Sequence, residues 1–234
     1  MRESLGSTGR QLAWQPRPLE SFERLEGAHV SISRFSPQRD AEEFVERLCN
    51  PRDAALWRYL PVEPFESARN VTDFFGTVTE HDGWIPYVFR RPDDGMLIGT
   101  ASHMRVRPEA GSAEVGFVLY STLMQRTIAA TEAMYLLARN ALGESGYRRY
   151  EWKCDNDNEA SKRAARRLGF TFEGVFRQDM VVSGRNRDTA WFSLLDREWP
   201  EARQAFETWL APANFDAGGI QKQTLAAVRE PGVT

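Results

Sequence analysis

The period of the apolar positions changes twice along this chain, and the changes divide it. Residues 1–24 show no clear periodicity and read as an extended arm. His29–Phe35 alternates, with Val30 and Ile32 on one side, and predicts a strand. Ser36-Pro37 then offers a cap followed by proline at a first helical position, so a helix runs to about Asn50, where Pro51 stops it. Asp53–Tyr59 is a second short helical piece. Ser67–His81 is a third, with Ser67 as its cap and Val71, Phe74, Phe75 and Val78 as its apolar stripe.

From Trp84 the period drops to two. Trp84–Arg90, Met96–Val106 and Ser112–Tyr120 form a three-stranded meander, turning at Pro92-Asp-Asp-Gly95 and at Glu109-Ala-Gly111. A helix follows over Ala129–Ala141 and ends near Gly146. Tyr147–Cys154 is a strand, and Asn158–Leu168 is helical up to Gly169. Phe170–Val182 and Arg187–Leu195 are strands joined by Ser-Gly-Arg-Asn, a hairpin signal. Glu198–Leu210 is a terminal helix, and beyond Pro212 small and polar residues predict a frayed tail. Early helices, a meander and one crossover helix between strands predict a mixed α/β sheet, with Glu114–Tyr120 and Tyr147–Cys154 parallel.

Composition narrows the class. The chain has 234 residues, 41% hydrophobic and 27% charged, a soluble globular balance large enough for one core. The formal net charge of −3 gives no basic excess, so duplex nucleic acid is not an expected partner. No apolar run approaches the ~20 residues of a membrane span, and the start lacks a secretory apolar region. Cys49 and Cys154 have no metal-type spacing, and a reduced, cytoplasmic protein is expected. His29, His81 and His103 are isolated, so no metal is expected.

Candidate chemistry sits where the strand Glu114–Tyr120 runs into the helix. The intervening run Met124–Ala133 can present backbone N–H groups at a helix start, a geometry that holds pyrophosphate. Some 30 residues on, Asn158-Glu-Ala-Ser161 opens a second helix closed by Gly169-Phe170. Strand, anion loop, helix, strand, Asn-x-x-Ser, helix, Gly-Phe is the order of the Gcn5-related N-acetyltransferases. The chain resembles that superfamily from about Leu25 to Trp199, and within it the ribosomal-protein (RimJ/RimL-type) branch.

The resemblance implies a GNAT fold: a mixed, mostly antiparallel seven-stranded sheet flanked by helices, with its central strands splayed. It implies an arm over 1–24, an acetyltransferase domain over 25–199, and a terminal helix and tail over 200–234. The co-substrate is acetyl-CoA, its pantetheine adding to the exposed edge of the strand at Phe117, Val118 and Leu119. Its pyrophosphate falls on Gln125, Arg126, Thr127, Ile128, Ala129, Ala130 and Thr131. Ile128 stands where the family pattern has glycine, and Arg126 adds a charge that can pair with phosphate. Asn158 and Ser161 face the pantetheine and thioester, with Ser161 placed to protonate the leaving thiolate or hydrogen-bond its sulfur. Glu114, in Glu-Val-Gly-Phe, is the candidate base; the alternative for it is an exposed, idle carboxylate. Met180 occupies the position at which the branch carries a glutamate, with Asp179 beside it on the opposite face. For Asp188 a salt bridge to Arg185 or Arg187 is expected.

On the acceptor side stand Trp57, Tyr59, Phe65 and Trp84, able to stack on an acceptor, with core packing as the alternative for each. His103, inside the meander, is grouped with them, and a satisfied structural histidine is its alternative. The expected acceptor is a primary amine, either a peptide N-terminus or a small molecule such as an amino acid or aminoacyl nucleotide. A homodimer is compatible with the sequence. The rival reading is a catalytically weak acyl-CoA-binding sensor or scaffold that keeps the fold.

Overall fold

The computed structural model describes residues 12–229. One sheet organises them, in the order β1-β2-β3-β4-β5-β6-β8-β7. Its strands are β1 (Arg24–Glu26), β2 (Ser31–Arg34), β3 (Ile85–Arg90), β4 (Leu97–Arg107), β5 (Ser112–Tyr120), β6 (Arg149–Asp155), β7 (Thr171–Val182) and β8 (Arg185–Leu195). Every pairing is antiparallel except β5 with β6. The helices are α1 (Pro37–Leu48), α2 (Ala68–Asp82), α3 (Ile128–Ala138), α4 (Glu159–Arg167), α5 (Trp199–Leu210) and the short α6 (Leu225–Arg229). Pro51–Trp57 forms a 3-10 helix, and α3 runs on as a π-helical turn over Arg139–Glu144. The sheet thus has eight strands, not the seven expected. The added one is β1, whose three residues pair with β2 at the point where the arm was expected to end.

Two apolar clusters lie on the sheet. The larger is built around α3, whose residues from Ala129 to Ala138 are all buried, and includes α5, Ala113, Val115, Tyr150, Trp152, Ala190 and Phe192. The smaller joins α1, α2 and Trp57 to Val88, Leu97, Phe117 and Leu119. Alternation along β5, β6 and β8 sends odd and even side chains to opposite faces, so the charged residues between these apolar ones collect on the other side.

Buried charges inside this frame are paired. Glu132 of α3 accepts the N–H groups of Ala28, His29 and Val30 at 2.6–3.0 Å, closing the turn between β1 and β2. The fully buried Asp40 is subject to two opposing effects. Burial pushes its pKa up, but Arg39, Arg90 and the Ser36 N–H outweigh this and hold it below the usual carboxylate range. Ser36 makes no side-chain cap of its own.

Both ends of the described chain are docked on the rest of the protein. The described part of the arm is extended but docked: Trp14 Nε1 donates to the Pro108 carbonyl at 3.0 Å, and Phe22 stacks on Tyr87 at 4.7 Å. Gly111 is required beside it, because its φ is +62° and a Cβ there would lie only 2.6 Å from the Trp14 ring. The expected frayed tail is instead folded back as far as Arg229. Phe215 bridges to Gln221, the Trp209 indole N–H donates to Gln221 Oε1 at 2.8 Å, and Leu225 is buried. Residues 230–234 of that tail lie outside the described residues. Among the described residues no helix is long and apolar enough to cross a membrane, and no cluster of His, Cys, Asp and Glu has the makings of a metal site.

Candidate active site

The parallel strands β5 and β6 pair only from Ser112 with Arg149 to Val115 with Trp152. Beyond that point β6 stays with β8 while β5 stays with β4, so the strands part. From Gly116 to Tyr120 the β5 edge facing the gap has no strand partner, and its peptide groups are free to pair with an extended ligand. A bulge opposite Ala101 accompanies the parting, and Phe117 takes φ +49°, a strained backbone for an aromatic residue. Phe117 turns its ring into the smaller core against Phe74 and Trp84, so only its backbone is offered to the gap, beside those of Val118 and Leu119.

The loop after β5 ends at the start of α3. Thr127 caps it, its Oγ1 accepting from the Ala130 N–H at 3.4 Å. Arg126, exposed, takes φ +60°. Ile128 packs its side chain against the larger core, so the side chain standing in the glycine position points inward and leaves the backbone approachable. Gln125 is exposed at the loop, and Ala129 and Ala130 form the buried first turn. Thr131 is a correction: it is 1% exposed, and its hydroxyl accepts from Arg167 Nη2 at 2.7 Å, so it supports the loop from beneath and does not reach a ligand.

Across the gap, Asn158 caps α4. Its Oδ1 accepts from the Ser161 N–H at 3.0 Å, and its Nδ2 makes no hydrogen bond among the described residues. Ser161 Oγ accepts from the Trp152 indole N–H at 3.0 Å. Trp152 is the last β6 residue paired to β5, so this bond ties the hydroxyl to the point of parting. A hydroxyl that accepts here keeps its own hydrogen to give elsewhere.

Glu114 lies one step before the gap, on the face away from α3. It is 3% exposed, so it is buried and not the surface carboxylate of the alternative reading. Lys153 Nζ stands 3.1 Å from its Oε2 and Arg105 Nε 3.6 Å. Burial pushes the Glu114 pKa up, opposed by those two cations. Gly116 is the next residue on this face. A side chain there would run into Met104 and approach a Glu114 oxygen at 3.1 Å, so glycine keeps the way to the carboxylate open.

Further along this face Arg107 and Arg149 share Glu151 at 2.6 and 2.7 Å, and Arg149 also grips Glu173. Arg105, Arg107, Arg149, Glu173, Phe176 and Trp191 are among the residues around a hollow of about 300 Å³. A larger hollow, of about 430 Å³, lies between Leu142 and α5.

Two expected acceptor residues belong to the core. Trp57 is 3% exposed, donates its indole N–H to the Leu48 carbonyl at 2.7 Å and stands edge-on to Phe65. His103 is fully buried on the α3 side, between the hydroxyls of Tyr87 (3.2 Å) and Tyr150 (2.9 Å). Burial pushes its pKa down to about 3, so it is a neutral structural histidine. Trp84 is half-buried against Phe74 and Phe117, next to the bulge. Tyr59 is half-buried and donates to the Asp157 carbonyl at 3.2 Å, joining the loop before α2 to the one before α4. Asp188 makes no ion pair with Arg185 or Arg187. It accepts the Gln178 N–H and the Asn186 amide, both at 2.8 Å, and these hold its pKa low. Asp179 and Met180 are exposed on the edge strand β7.

Arg105, Lys153, Phe176 and Trp191 were not among the residues expected from the sequence. A signal was present in β6, where Arg149, Glu151 and Lys153 alternate with Tyr150, Trp152 and Cys154. That is a strand with one polar face, and the polar face is where this hollow lies.

Residues 29–171 match the model of the acetyltransferase (GNAT) domain. A crystal structure of a GCN5-related N-acetyltransferase from Brucella melitensis superimposes with a TM-score of 0.88 at 38% identity, over 93% of this chain and 99% of that one. The uncharacterized N-acetyltransferase YoaA of Bacillus subtilis (strain 168) is 26% identical over 174 residues, 74% of this chain and 97% of that protein. YdaF of the same organism, whose name assigns it only provisionally to the ribosomal N-acetyltransferases, is 31% identical over 106 residues, 45% of this chain and 57% of that protein.

Proposed function

This chain belongs to the GNAT acetyltransferase family, and from that membership we propose how its residues divide the work. It is an acetyl-CoA-dependent N-acetyltransferase that acetylates an amine. Acetyl-CoA supplies the acetyl group, activated as a thioester. The parted strands carry this reading further than any other observation: five consecutive residues of β5, Gly116–Tyr120, have a free edge facing the gap. Backbone groups of Phe117, Val118 and Leu119 hold the pantetheine, and one of their N–H groups polarises the carbonyl. The N–H groups of Ile128 and Ala129, with the Arg126 guanidinium, hold the pyrophosphate. Asn158 fixes the start of α4, and the hydroxyl hydrogen of Ser161 goes to the departing sulfur. Glu114 takes the proton from the acceptor ammonium, and its raised pKa makes it a better base than an ordinary carboxylate.

By kinship the chain goes with the RimJ/RimL-type branch, which the Glu-Val-Gly run of β5 and the similarity to YdaF support. Kinship does not name the acceptor, which the hollow beside Glu114 selects. The sensor reading drew on Ile128 as an obstruction and on Met180 in place of a glutamate; the inward packing of Ile128 removes the first motive, and the second stands, with Met180 exposed on β7.

The test pairs two measurements. CoA should raise the melting temperature by linkage, and replacing Ala130 with a bulky residue should abolish the rise. Ser161→Ala should lower kcat with little change in the affinity for acetyl-CoA, since the serine acts as the thiolate develops. No thermal shift at millimolar CoA, or an unchanged kcat in the variant, would refute the assignment.

A further inference from the structure

The three guanidinium groups around the hollow are not equally occupied. Arg107 donates to Ser112 Oγ and Glu151, and Arg149 to Glu151 and both oxygens of Glu173. Arg105 makes no hydrogen bond among the described residues. Its nearest carboxylate, Glu114, is 3.6 Å away and already has Lys153 at 3.1 Å. Its side chain is 42% exposed. The backbone of Arg105 takes φ +46°, in the left-handed region, within the irregular stretch of β4 between Met104 and Arg107. A non-glycine residue rarely holds that conformation, and here it accompanies a guanidinium set over the Trp191 ring at 5.0 Å. Lys153 approaches the same ring at 4.9 Å. Phe176, 54% exposed, lies 4.8 Å from Trp191 and extends the aromatic wall.

The charges in and around the hollow add to a cationic excess. Arg105, Arg107, Arg149 and Lys153 face Glu114, Glu151 and Glu173, and the surplus resides on the one unbonded fork. A planar fork with free N–H groups matches a carboxylate. An aromatic wall beside it matches an apolar side chain. The volume of about 300 Å³ is at the small end of ligand pockets.

We propose that the acceptor is a primary amine of amino-acid size that carries a carboxylate, gripped by Arg105 with its side chain against Trp191 and Phe176. This rests on the acetyl-transfer reading and names the acceptor class for it. The two cations near Glu114 disfavour an ammonium at that place, so the bound amine loses its proton more readily. The amine nitrogen then forms a bond to the acetyl carbonyl carbon as the carbon–sulfur bond breaks. The thiolate leaves with one proton, the second goes to solvent by way of Glu114, and the products are an N-acetylated acid and CoA. A polyamine, all cation, meets repulsion in this hollow.

The experiment follows thiol release from acetyl-CoA with phenylalanine, phenylalaninamide and phenethylamine, for the wild type, Arg105→Gln and Arg105→Lys. In the wild type the acid should exceed both neutral analogues in kcat/KM by roughly ten- to a hundredfold, the worth of a charge-assisted pair, chiefly through KM. Arg105→Gln should bring the ratios toward unity, and Arg105→Lys should restore part of the preference. Equal or better use of the analogues by the wild type overturns the proposal, as does a ratio that Arg105→Gln leaves unchanged. Absence of turnover with the acid, while CoA still raises the melting temperature, also overturns it and spares the cofactor reading. Absence of that thermal shift defeats the acetyl-CoA reading itself and this proposal with it.

Discussion

Over β3 to β5, one face of the sheet carries the apolar cluster shared with α1 and α2. Over β6, β8 and β7, none of the strands contributes to that cluster, and Arg149, Glu151, Lys153 and Trp191 stand there instead. In the first region polar atoms are fewer, and some are answered, as where the Trp57 indole N–H meets the Leu48 carbonyl, while Arg90 Nε and Ser102 Oγ are not. In the second, three buried polar atoms go unanswered: Glu151 Oε2, Thr189 Oγ1 and Trp191 Nε1 have no hydrogen-bond partner among the described residues. An unmet buried polar atom destabilises the fold. The first region holds the bulge of β5 in place through Phe117, and the second supplies the charges that act beside it.

The largest expected effect tests the covered region. Trp57→Ala should lower unfolding free energy by ~3–5 kcal/mol in denaturant titration, as removal of a buried indole does. Normal stability with a raised acceptor KM would return Trp57 to the acceptor site and erase the contrast.

The next concerns Glu114 in the open region. Glu114→Gln should lower kcat/KM by ~100-fold or more, the usual worth of a general base. The base works deprotonated, so wild-type activity should fall as pH drops through its raised pKa, above the ordinary carboxylate range, and the variant should lack that limb. Stability should move the other way. With a folded pKa above the unfolded one, protonated Glu114 contributes stability below the unfolded pKa, and this is lost as pH rises through the folded pKa. A pH–rate profile and melting curves across that window check both signs, and an acid limb retained in the variant would remove Glu114 from the base role.

The smallest effect lies at the mouth of the gap. Tyr59→Phe removes one half-exposed hydrogen bond to the Asp157 carbonyl and should cost ~0.5–1.5 kcal/mol at most. If the bond serves to hold the two loops together, the KM for acetyl-CoA should rise slightly while kcat stays. A large loss of stability would mean that the loop before α2 belongs to the covered core.

The order of elements was legible in the chain from local signals: period-two alternation, the Pro37 and Ser67 helix starts, and a loop running directly into a helix. The parting of β5 from β6 and the positions Ser161, Asn158 and Glu114 were singled out only through the resemblance to the acetyltransferases, because no local pattern encodes where two paired strands separate. The extra strand β1 was not legible, because three residues carry too little pattern and their pairing is decided by β2 and by Glu132 from α3. The docked tail escaped for the same reason: polar composition says nothing of the Trp209–Gln221 bond.

The sequence by itself determined the longer helices and strands, since alternation and capping act over a few neighbours. It also determined that a loop runs from β5 directly into a helix. Only the tertiary structure decided which aromatic residues are closed into the core and which line a hollow. Trp57 and Trp191 are alike as residues, but one is closed in by helices from its own half of the chain. The other faces a hollow assembled from β4, β6, β7 and β8. Whether a side chain is covered depends on elements distant in sequence. The same holds for Arg105, whose free fork is known only once Glu114 is seen to be matched by Lys153, a residue 39 positions from it in the chain.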